Sequence, residues 1–152
     1  MIILDNSVLS AFKRLDLLSH LEKLLTSAII SKEILNEYSL EWQKNIPNWI
    51  KILESDKSIQ LKDIPISLSP ADLSIIRLAL KLNKPIATDD KLIRRYSKKL
   101  KIPITGSLGL LKTLYQKNLF KSKEEYQSYL NKLQEDVYIS DDLMKWAMED
   151  LR

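Results

Sequence analysis

Cysteine is absent from the 152-residue sequence, and histidine occurs only once, at His20. The lack of cysteine excludes disulfides, thiolate catalysis and zinc sites built on sulfur. A single histidine excludes any site that needs two imidazole ligands. Chemistry in this chain must therefore come from carboxylates, hydroxyls, lysine and arginine.

Glycine and long apolar runs are also scarce. The two glycines, Gly106 and Gly109, are too few for a Rossmann or P-loop fingerprint. The longest apolar runs, such as Ile2–Leu4, are far too short to span a bilayer, so we expect no membrane association. No basic stretch precedes that first run, so we expect no signal peptide and a cytoplasmic protein. The net charge of +4 is compatible with a polyanionic partner.

Short apolar runs alternate with segments of helical spacing. Strands are predicted at 2–5, 27–30, 85–88 and 102–105, with a minor strand at 59–61. The clearest helix runs from Ser69 to Leu82, because a hydroxyl cap, a proline and an acid mark its start. A helical segment containing Trp42 and Trp49 is predicted, interrupted at Pro47. This alternation predicts an α/β fold with a mostly parallel sheet of four to five strands.

Acidic residues follow the predicted strands. Asp5 comes directly after the first strand, and Asp89 and Asp90 follow a later one. Because sites in open parallel sheets form outside the carboxyl ends of the strands, these groups should point into one crevice. Two further acids are expected to reach the same crevice. Asp72 lies in the first turn of its helix, and Glu37 lies on a helix after the second strand.

Several carboxylates that converge without a histidine repel one another, and this repulsion raises their pKa values. A hard divalent cation resolves the conflict, and an all-oxygen ligand set suits Mg²⁺ or Mn²⁺. Such ions lower the pKa of bound water and clamp a phosphodiester. The chemistry that fits is in-line phosphodiester hydrolysis.

Each aspartate also has a purely structural interpretation. Asp5 is in place to cap a helix, and Asp72 occupies the capping-box position of its helix. Asp89 and Asp90 could merely complement a helix dipole. None of these residues identifies a metal site when it is taken alone.

The order and spacing of the acids resemble those of the PIN-domain nucleases. The segment Ile2–Leu9 resembles the family's apolar strand, its acid at Asp5 and the polar turn that follows. The segment Ile30–Glu37 is similar to the one in which a strand leads into a helix bearing the second acid. Most helical glutamates are solvated, and Glu33 lies one turn earlier on the same helix face. On the register of the resemblance, Glu37 matches the family's glutamate and Glu33 does not.

Three later segments carry the resemblance further. Leu68–Asp72 is similar to the turn before the third acid, where one PIN branch more often has Gly-Glu, so Asp72 is a conservative departure. Ala87–Lys91 resembles the strand-end motif with the fourth acid; the Thr-x-Asp spacing selects Asp90, with Asp89 as an accessory ligand. Gly106–Leu111 resembles the Gly-x-x-Gly-Leu-Leu signature of one PIN branch, in which glycine permits a tight strand-to-helix turn.

The resemblance is nearest to the small prokaryotic PIN proteins, which include the VapC-type toxins of toxin–antitoxin pairs. It implies a three-layer α/β sandwich, with a PIN-like nuclease domain at 1–120 and a C-terminal helical extension at 121–152 packed on the same domain. It also implies a Mg²⁺- or Mn²⁺-dependent endoribonuclease that acts on RNA, forms a homodimer and binds an antitoxin protein. The catalytic residues it implies are also metal ligands: Asp5, Glu37, Asp72 and Asp90.

Basic residues follow the acidic pair. Lys91, Arg94 and Arg95 are expected to contact RNA phosphates, although a solvated basic helix would show the same pattern. Three polar residues next to the acids are candidates either to orient the metal ligands or only to cap helices: Asn6, Ser7 and Thr88.

Two other functions compete with the nuclease. The first is a PIN-like RNA-binding or scaffold module whose cleavage is weak or lost. The second is a flavodoxin- or receiver-like signalling domain, which also uses acids at strand ends. That class needs a strand-end lysine or a phosphate-cradling loop, and the sequence has neither in the required position.

Overall fold

The computed structural model describes residues 1–149. Its five strands are β1 (Ile2–Leu4), β2 (Ala28–Ser31), β3 (Ile50–Leu53), β4 (Ile86–Ala87) and β5 (Ile104–Thr105). They form one sheet in the order β3-β2-β1-β4-β5, and every neighbouring pair is parallel. The predicted α/β fold with a mostly parallel sheet is therefore confirmed.

Helices flank this sheet. They are α1 (Asn6–Arg14), α2 (Leu18–Leu25), α3 (Lys32–Leu35), α4 (Leu40–Lys44), α5 (Pro70–Leu82), α6 (Lys91–Lys99), α7 (Ser107–Gln116), α8 (Lys123–Asp136) and α9 (Asp141–Met148). Helix α5 packs on β1, β2 and β4, while α1, α2 and α7 contact one another as a second group. Because helices cover the sheet, β1, β2 and β4 are buried along their whole length, as expected for parallel strands. None of the helices within residues 1–149 is long and apolar enough to cross a membrane.

The two C-terminal helices pack on α7. The ring of Tyr126 in α8 lies 4.8 Å from that of Tyr115 in α7, and its hydroxyl donates to the Ala147 carbonyl of α9 at 2.8 Å. The predicted helical extension at 121–152 contains α8 and α9, and its last three residues lie outside the described part of the chain. The domain boundary at residue 120 stays a prediction.

The third strand is not where the sequence predicts it. Residues 59–61 form no strand; instead Ile50–Leu53, where no strand was predicted, pairs with β2 from Ala28↔Ile50 to Ser31↔Leu53. Helix α4 ends at Lys44, before Pro47, and β-branched Ile50 and Ile52 favour the strand. Three of its four residues are exposed, because β3 is an edge strand.

The strand order places one crevice at the centre of the sheet. From β1 the chain proceeds to β2 and β3 on one side, and it later adds β4 and β5 on the other. The order therefore reverses between β1 and β4, and such a reversal opens a crevice outside the carboxyl ends of the strands. Asp5 and Asp90 lie at this point, one after β1 and the other after the end of β4.

Candidate metal centre and active site

Asp5 is the most firmly held of the predicted ligands. It is only 4% exposed and is the N-cap of α1. Its Oδ1 accepts from the Asn6 amide at 2.7 Å, and its Oδ2 accepts from the hydroxyls of Ser7 at 2.9 Å and Thr88 at 2.6 Å. Three donors therefore fix the orientation of this carboxylate, and two of them are the hydroxyls of Ser7 and Thr88.

Thr88 joins the ends of the two central strands. Its buried hydroxyl donates to Asp5 and accepts from the Asp90 amide at 3.1 Å. Asp90 in turn caps α6, with Oδ1 accepting from the Ile93 amide at 2.9 Å. Its Oδ2 takes no hydrogen bond within the described residues, so that oxygen is available to a ligand.

Asp72 is both a helix cap and a lining residue of the crevice. It forms a capping box, in which Asp72 Oδ2 accepts from the Ser69 amide at 2.9 Å and the Ser69 hydroxyl accepts from the Asp72 amide at 3.1 Å. Its Oδ1 has no hydrogen-bond partner among residues 1–149. The structural and functional interpretations of Asp72 are therefore compatible.

The two candidate glutamates point to different places. Helix α3 ends at Leu35, so Glu37 lies in the following turn rather than on the helix predicted for it. Glu37 lines the crevice with the aspartates, whereas Glu33 lies beside Ser55, which donates to its Oε1 at 3.4 Å. Because the helix stops between them, the two side chains do not share a face.

These acids surround one open cavity of about 270 Å³. It is lined by Asp5, Asn6, Ser7, Ser10, Glu37, Asp72 and Asp90. Ser10 is the one lining residue that the sequence analysis missed. Its hydroxyl donates to the Asn6 side chain at 2.9 Å and lies 3.2 Å from the Tyr38 hydroxyl. Its position four residues after Asn6, on the same helix face, is the signal that could have found it.

The electrostatics of the cavity follow from burial and from the proximity of the acids. Burial raises the pKa of Asp5 above its usual value, the three hydrogen bonds oppose this shift, and the charge of Asp72 adds to it. Partial burial also raises the pKa of Glu37, and the charges of Asp5 and Asp72 raise it further. The acids therefore interact across the cavity, and their combined charge favours a cation.

The chemistry of the donor atoms suits a hard cation. Four carboxylates, the Asn6 amide oxygen and two serine hydroxyls offer only oxygen, which fits Mg²⁺ or Mn²⁺. Across residues 1–149, no three acidic or histidine side chains stand as a ready-made ligand set. Mg²⁺ does not require one, because it keeps several waters and is commonly held by one or two carboxylates. The residues present therefore fit such an ion.

Comparison with known proteins identifies the family of this chain. The family model described as DUF3368, a PIN domain, matches residues 1–152. The chain belongs to this PIN-domain family. A solved structure described as the PIN domain endonuclease Utp24 is similar to the chain, with 18% identity and a TM-score of 0.49 over 69% of this chain and 83% of that one. No curated protein matches the sequence significantly.

Asp89 is the predicted ligand that this PIN domain does not bring to the cavity. Its Oδ1 accepts from the Ser107 amide at 2.8 Å and its Oδ2 from the Ser107 hydroxyl at 2.5 Å, so it caps α7. The reason is the alternation of side chains along an extended chain, which directs Asp89 and Asp90 to opposite sides. Asp89 lies at a strand end, but its carboxylate faces Ser107 and not the acidic cavity.

The predicted RNA-binding residues also separate. Arg94 is half-buried and donates through Nη1 to the Thr88 carbonyl at 2.9 Å, on the Asp89 side of β4. Lys91 lines the same side, together with Arg94. Arg95 is exposed and makes no hydrogen bond or ion pair with the described residues. None of the three lines the acidic cavity.

Gly106 of the PIN domain lies in a close approach between side chains. A Cβ at this position would lie 2.8 Å from Asp89 Oδ1 and 2.9 Å from Arg94 Nη1. A Cβ at Gly109 would lie 2.8 Å from the Thr105 hydroxyl. A side chain at either position would therefore make these neighbouring groups shift, and glycine leaves them in place at the start of α7.

Proposed function

We propose that this PIN domain is a Mg²⁺- or Mn²⁺-dependent endoribonuclease that hydrolyses RNA phosphodiester bonds. The observation that carries the proposal is the convergence of Asp5, Glu37, Asp72 and Asp90 on one open cavity at the reversal of strand order. Membership of the PIN-domain family supports a nuclease-type fold. RNA as the substrate follows from the resemblance to small prokaryotic PIN proteins and is compatible with the net charge of +4.

The side chains have different roles in this proposal. Asp5 is the anchor ligand, because three hydrogen bonds hold its carboxylate in one orientation. Asp72 and Asp90 each contribute the oxygen that their helix caps leave free. Glu37 lies exposed at the rim and completes the negative charge. A divalent cation bound there would clamp the phosphodiester and lower the pKa of water.

The test compares two glutamates of one short segment. Glu37→Gln and Asp5→Asn should each lower metal-dependent cleavage of a labelled single-stranded RNA by about 100-fold or more, since each removes a ligand charge. Glu33→Gln is the matched control, because it makes the same change four residues earlier but outside the cavity. Circular dichroism establishes that each variant is folded. Undiminished Mn²⁺-dependent cleavage by Asp5→Asn would refute the proposal.

We further propose that the chain acts in the cytoplasm as the toxin of a type II toxin–antitoxin pair and forms a homodimer. This role follows from the family resemblance alone. Expression of the wild-type chain in a bacterium should stop growth, and the Asp5→Asn variant should not. Equal growth of both strains, with both proteins present, would argue against a toxin, and light scattering tests the dimer.

One observation favours a second candidate, a PIN-like RNA-binding or scaffold module with weak or lost cleavage. The acidic side chains within residues 1–149 do not form a ready-made set of metal ligands. Calorimetric titration with Mn²⁺ distinguishes the two functions. The nuclease should bind Mn²⁺ and lose that binding in Asp5→Asn, whereas a scaffold should release no heat above the buffer control.

A further inference from the structure

A second and larger cavity, of about 530 Å³, lies on the other side of the turn between β4 and α6. Six aliphatic side chains line it, from β5, α7, α8, α9 and the segment between α8 and α9. Asp89, Lys91 and Arg94 contribute the charged part, and Tyr138 and Trp146 contribute two aromatic rings. Its volume lies within the range of roughly 300–1,000 Å³ that is typical of small-ligand sites.

The cations in this cavity form no ion pair. Neither Lys91 nor Arg94 belongs to an ion pair of the described residues, which pair Arg14 with Asp136, Lys32 with Glu54 and Lys81 with Asp56. Asp89 lies near Arg94, because a Cβ at Gly106 would lie 2.8 Å from Asp89 Oδ1 and 2.9 Å from Arg94 Nη1. Lys91 is exposed and open to an anionic ligand, and the planar donors of Arg94 suit a phosphate.

The aromatic rings are exposed although they line a cavity. Tyr138 is 81% exposed and Trp146 is 41% exposed. Lys91 Nζ lies 5.9 Å from the Tyr138 ring centre. Lys112 Nζ lies 4.1 Å from the Trp146 ring centre, but Lys112 is buried and donates to the Trp146 carbonyl, so of the two rings Tyr138 is the one with an exposed cation beside it. An exposed ring beside a cation is the combination that binds single-stranded nucleic acid, because a base stacks on the ring while a phosphate contacts the cation.

The two cavities adjoin at the end of β4. Asp90 lines the acidic cavity, and its neighbour Asp89 lines the second one. Thr88 contacts both, since its hydroxyl donates to Asp5 and its carbonyl accepts from Arg94. A single-stranded nucleic acid bound in one cavity could therefore extend into the other over a short distance.

We propose that the second cavity binds a nucleotide of single-stranded RNA next to the phosphodiester that is cut, with its base stacked on Tyr138 and a phosphate on Lys91 and Arg94. The proposal rests on the proposed function, because it takes RNA as the substrate. The exposed ring of Tyr138, the exposed Lys91 beside it and the adjoining acids favour RNA, because a peptide would use the aliphatic wall without needing a stacking ring next to a cation.

The test measures RNA affinity separately from cleavage. The full chain is titrated with a fluorescent single-stranded oligoribonucleotide in EDTA, and the dissociation constant is read from anisotropy. Tyr138→Ala should weaken binding by roughly 5- to 150-fold, the range for loss of one stacked base, and Tyr138→Phe should preserve it. An oligomer that carries abasic positions should bind Tyr138→Ala and the wild type equally. Tyr138 is exposed, so its replacement should leave the fold intact.

Lys91→Ala provides a second, independent variant. It should reduce the slope of log affinity against log salt by about 0.7, as expected for one lost phosphate contact to a single strand. Lys23→Ala is the matched control. Lys23 lies near the end of α2, which leads into the start of β2, whereas both cavities lie at the carboxyl ends of the strands. The control variant should keep both the wild-type affinity and the wild-type slope.

The outcomes separate this proposal from the nuclease itself. If Tyr138→Ala and Lys91→Ala bind RNA like the wild type while Asp5→Asn abolishes cleavage, the second cavity is not an RNA site and the nuclease stands. A cavity that serves a peptide partner would give this same result and overturn the proposal. If the wild-type chain neither binds nor cuts RNA, both proposals fail.

Discussion

Thr88→Val tests whether a single buried hydroxyl organises the acidic cavity. Thr88 is fully buried, and its hydroxyl bonds to the Asp5 carboxylate and to the Asp90 amide. Valine keeps the shape but removes both interactions. The Asp5 carboxylate then loses its shortest hydrogen bond, and the Asp90 amide is left without its acceptor.

The magnitude follows from these two interactions. A hydrogen bond to a charged group contributes about 1.5–3 kcal/mol, and loss of the bond from the Asp90 amide costs about 0.5–1.5 kcal/mol, because Asp90 is exposed. Burial of the added methyl group and the nearby Ser7 hydroxyl offset part of this, so we expect a net loss of about 2–4 kcal/mol in the free energy of unfolding. The unfolding entropy of a 152-residue chain is about 0.3 kcal/mol per kelvin. The expected fall in Tm is therefore about 6–12 °C.

The assay combines urea denaturation with a calorimetric Mn²⁺ titration. Loss of an orienting hydrogen bond should weaken Mn²⁺ binding by about 10- to 100-fold. Thr88→Ser is the matched control: it keeps the hydroxyl and loses one buried methyl group, at a cost of about 1 kcal/mol, so its Mn²⁺ affinity should equal that of the wild type. If Thr88→Val and Thr88→Ser bind Mn²⁺ equally well, the hydroxyl does not organise the site.

Two further predictions concern the acids themselves. In metal-free protein, Asp5→Asn should raise the free energy of unfolding at neutral pH, because burial raises the pKa of Asp5 above its ordinary value of 3.8. Because the pKa of Asp5 is higher in the folded state, the stability that Asp5 contributes is fully present below the ordinary pKa and is lost as pH rises through the folded pKa. The Asp5→Asn variant should therefore be more stable than the wild type at neutral pH and should lose this difference in acid. Urea titrations at neutral and acidic pH measure this, and a variant less stable than the wild type at neutral pH would contradict it. Asp89→Ala should remove the cap of α7, destabilise the fold by about 0.5–2 kcal/mol and leave Mn²⁺ affinity unchanged; loss of Mn²⁺ binding would make Asp89 a ligand after all.

Local signals predict most of the fold. The helix expected from Ser69 to Leu82 corresponds to α5, Pro70–Leu82. Its start is predictable because the capping serine, the proline and the acid all lie within one turn. The edge strand β3 was missed because its evidence is nonlocal: Ile50–Leu53 becomes a strand by pairing with β2, about 20 residues earlier. Lys51 also interrupts the continuous apolar run that identifies the buried strands.

The site was predictable where it depends on strand ends and less so where it depends on side-chain direction. Asp5 and Asp90 follow strands that neighbour each other, and parallel strands bring their ends to one edge. The directions of the Asp89 and Glu37 side chains depend on local backbone geometry, which the sequence pattern does not show. Asp89 turns away through the alternation of the extended chain, and Glu37 reaches the cavity because α3 ends two residues before it.

The aspartates proposed as metal ligands also cap helices. Asp5, Asp72 and Asp90 cap α1, α5 and α6, so the N-terminal ends of three helices meet at the cavity. The partial positive charge at each helix N-terminus offsets part of the repulsion among the carboxylates. The pKa values of Asp5 and Glu37 are nevertheless raised, first by burial and then by the charges of the neighbouring acids. In the proposed nuclease a divalent ion would neutralise these charges, and the capping bonds would hold the ligands in place for it.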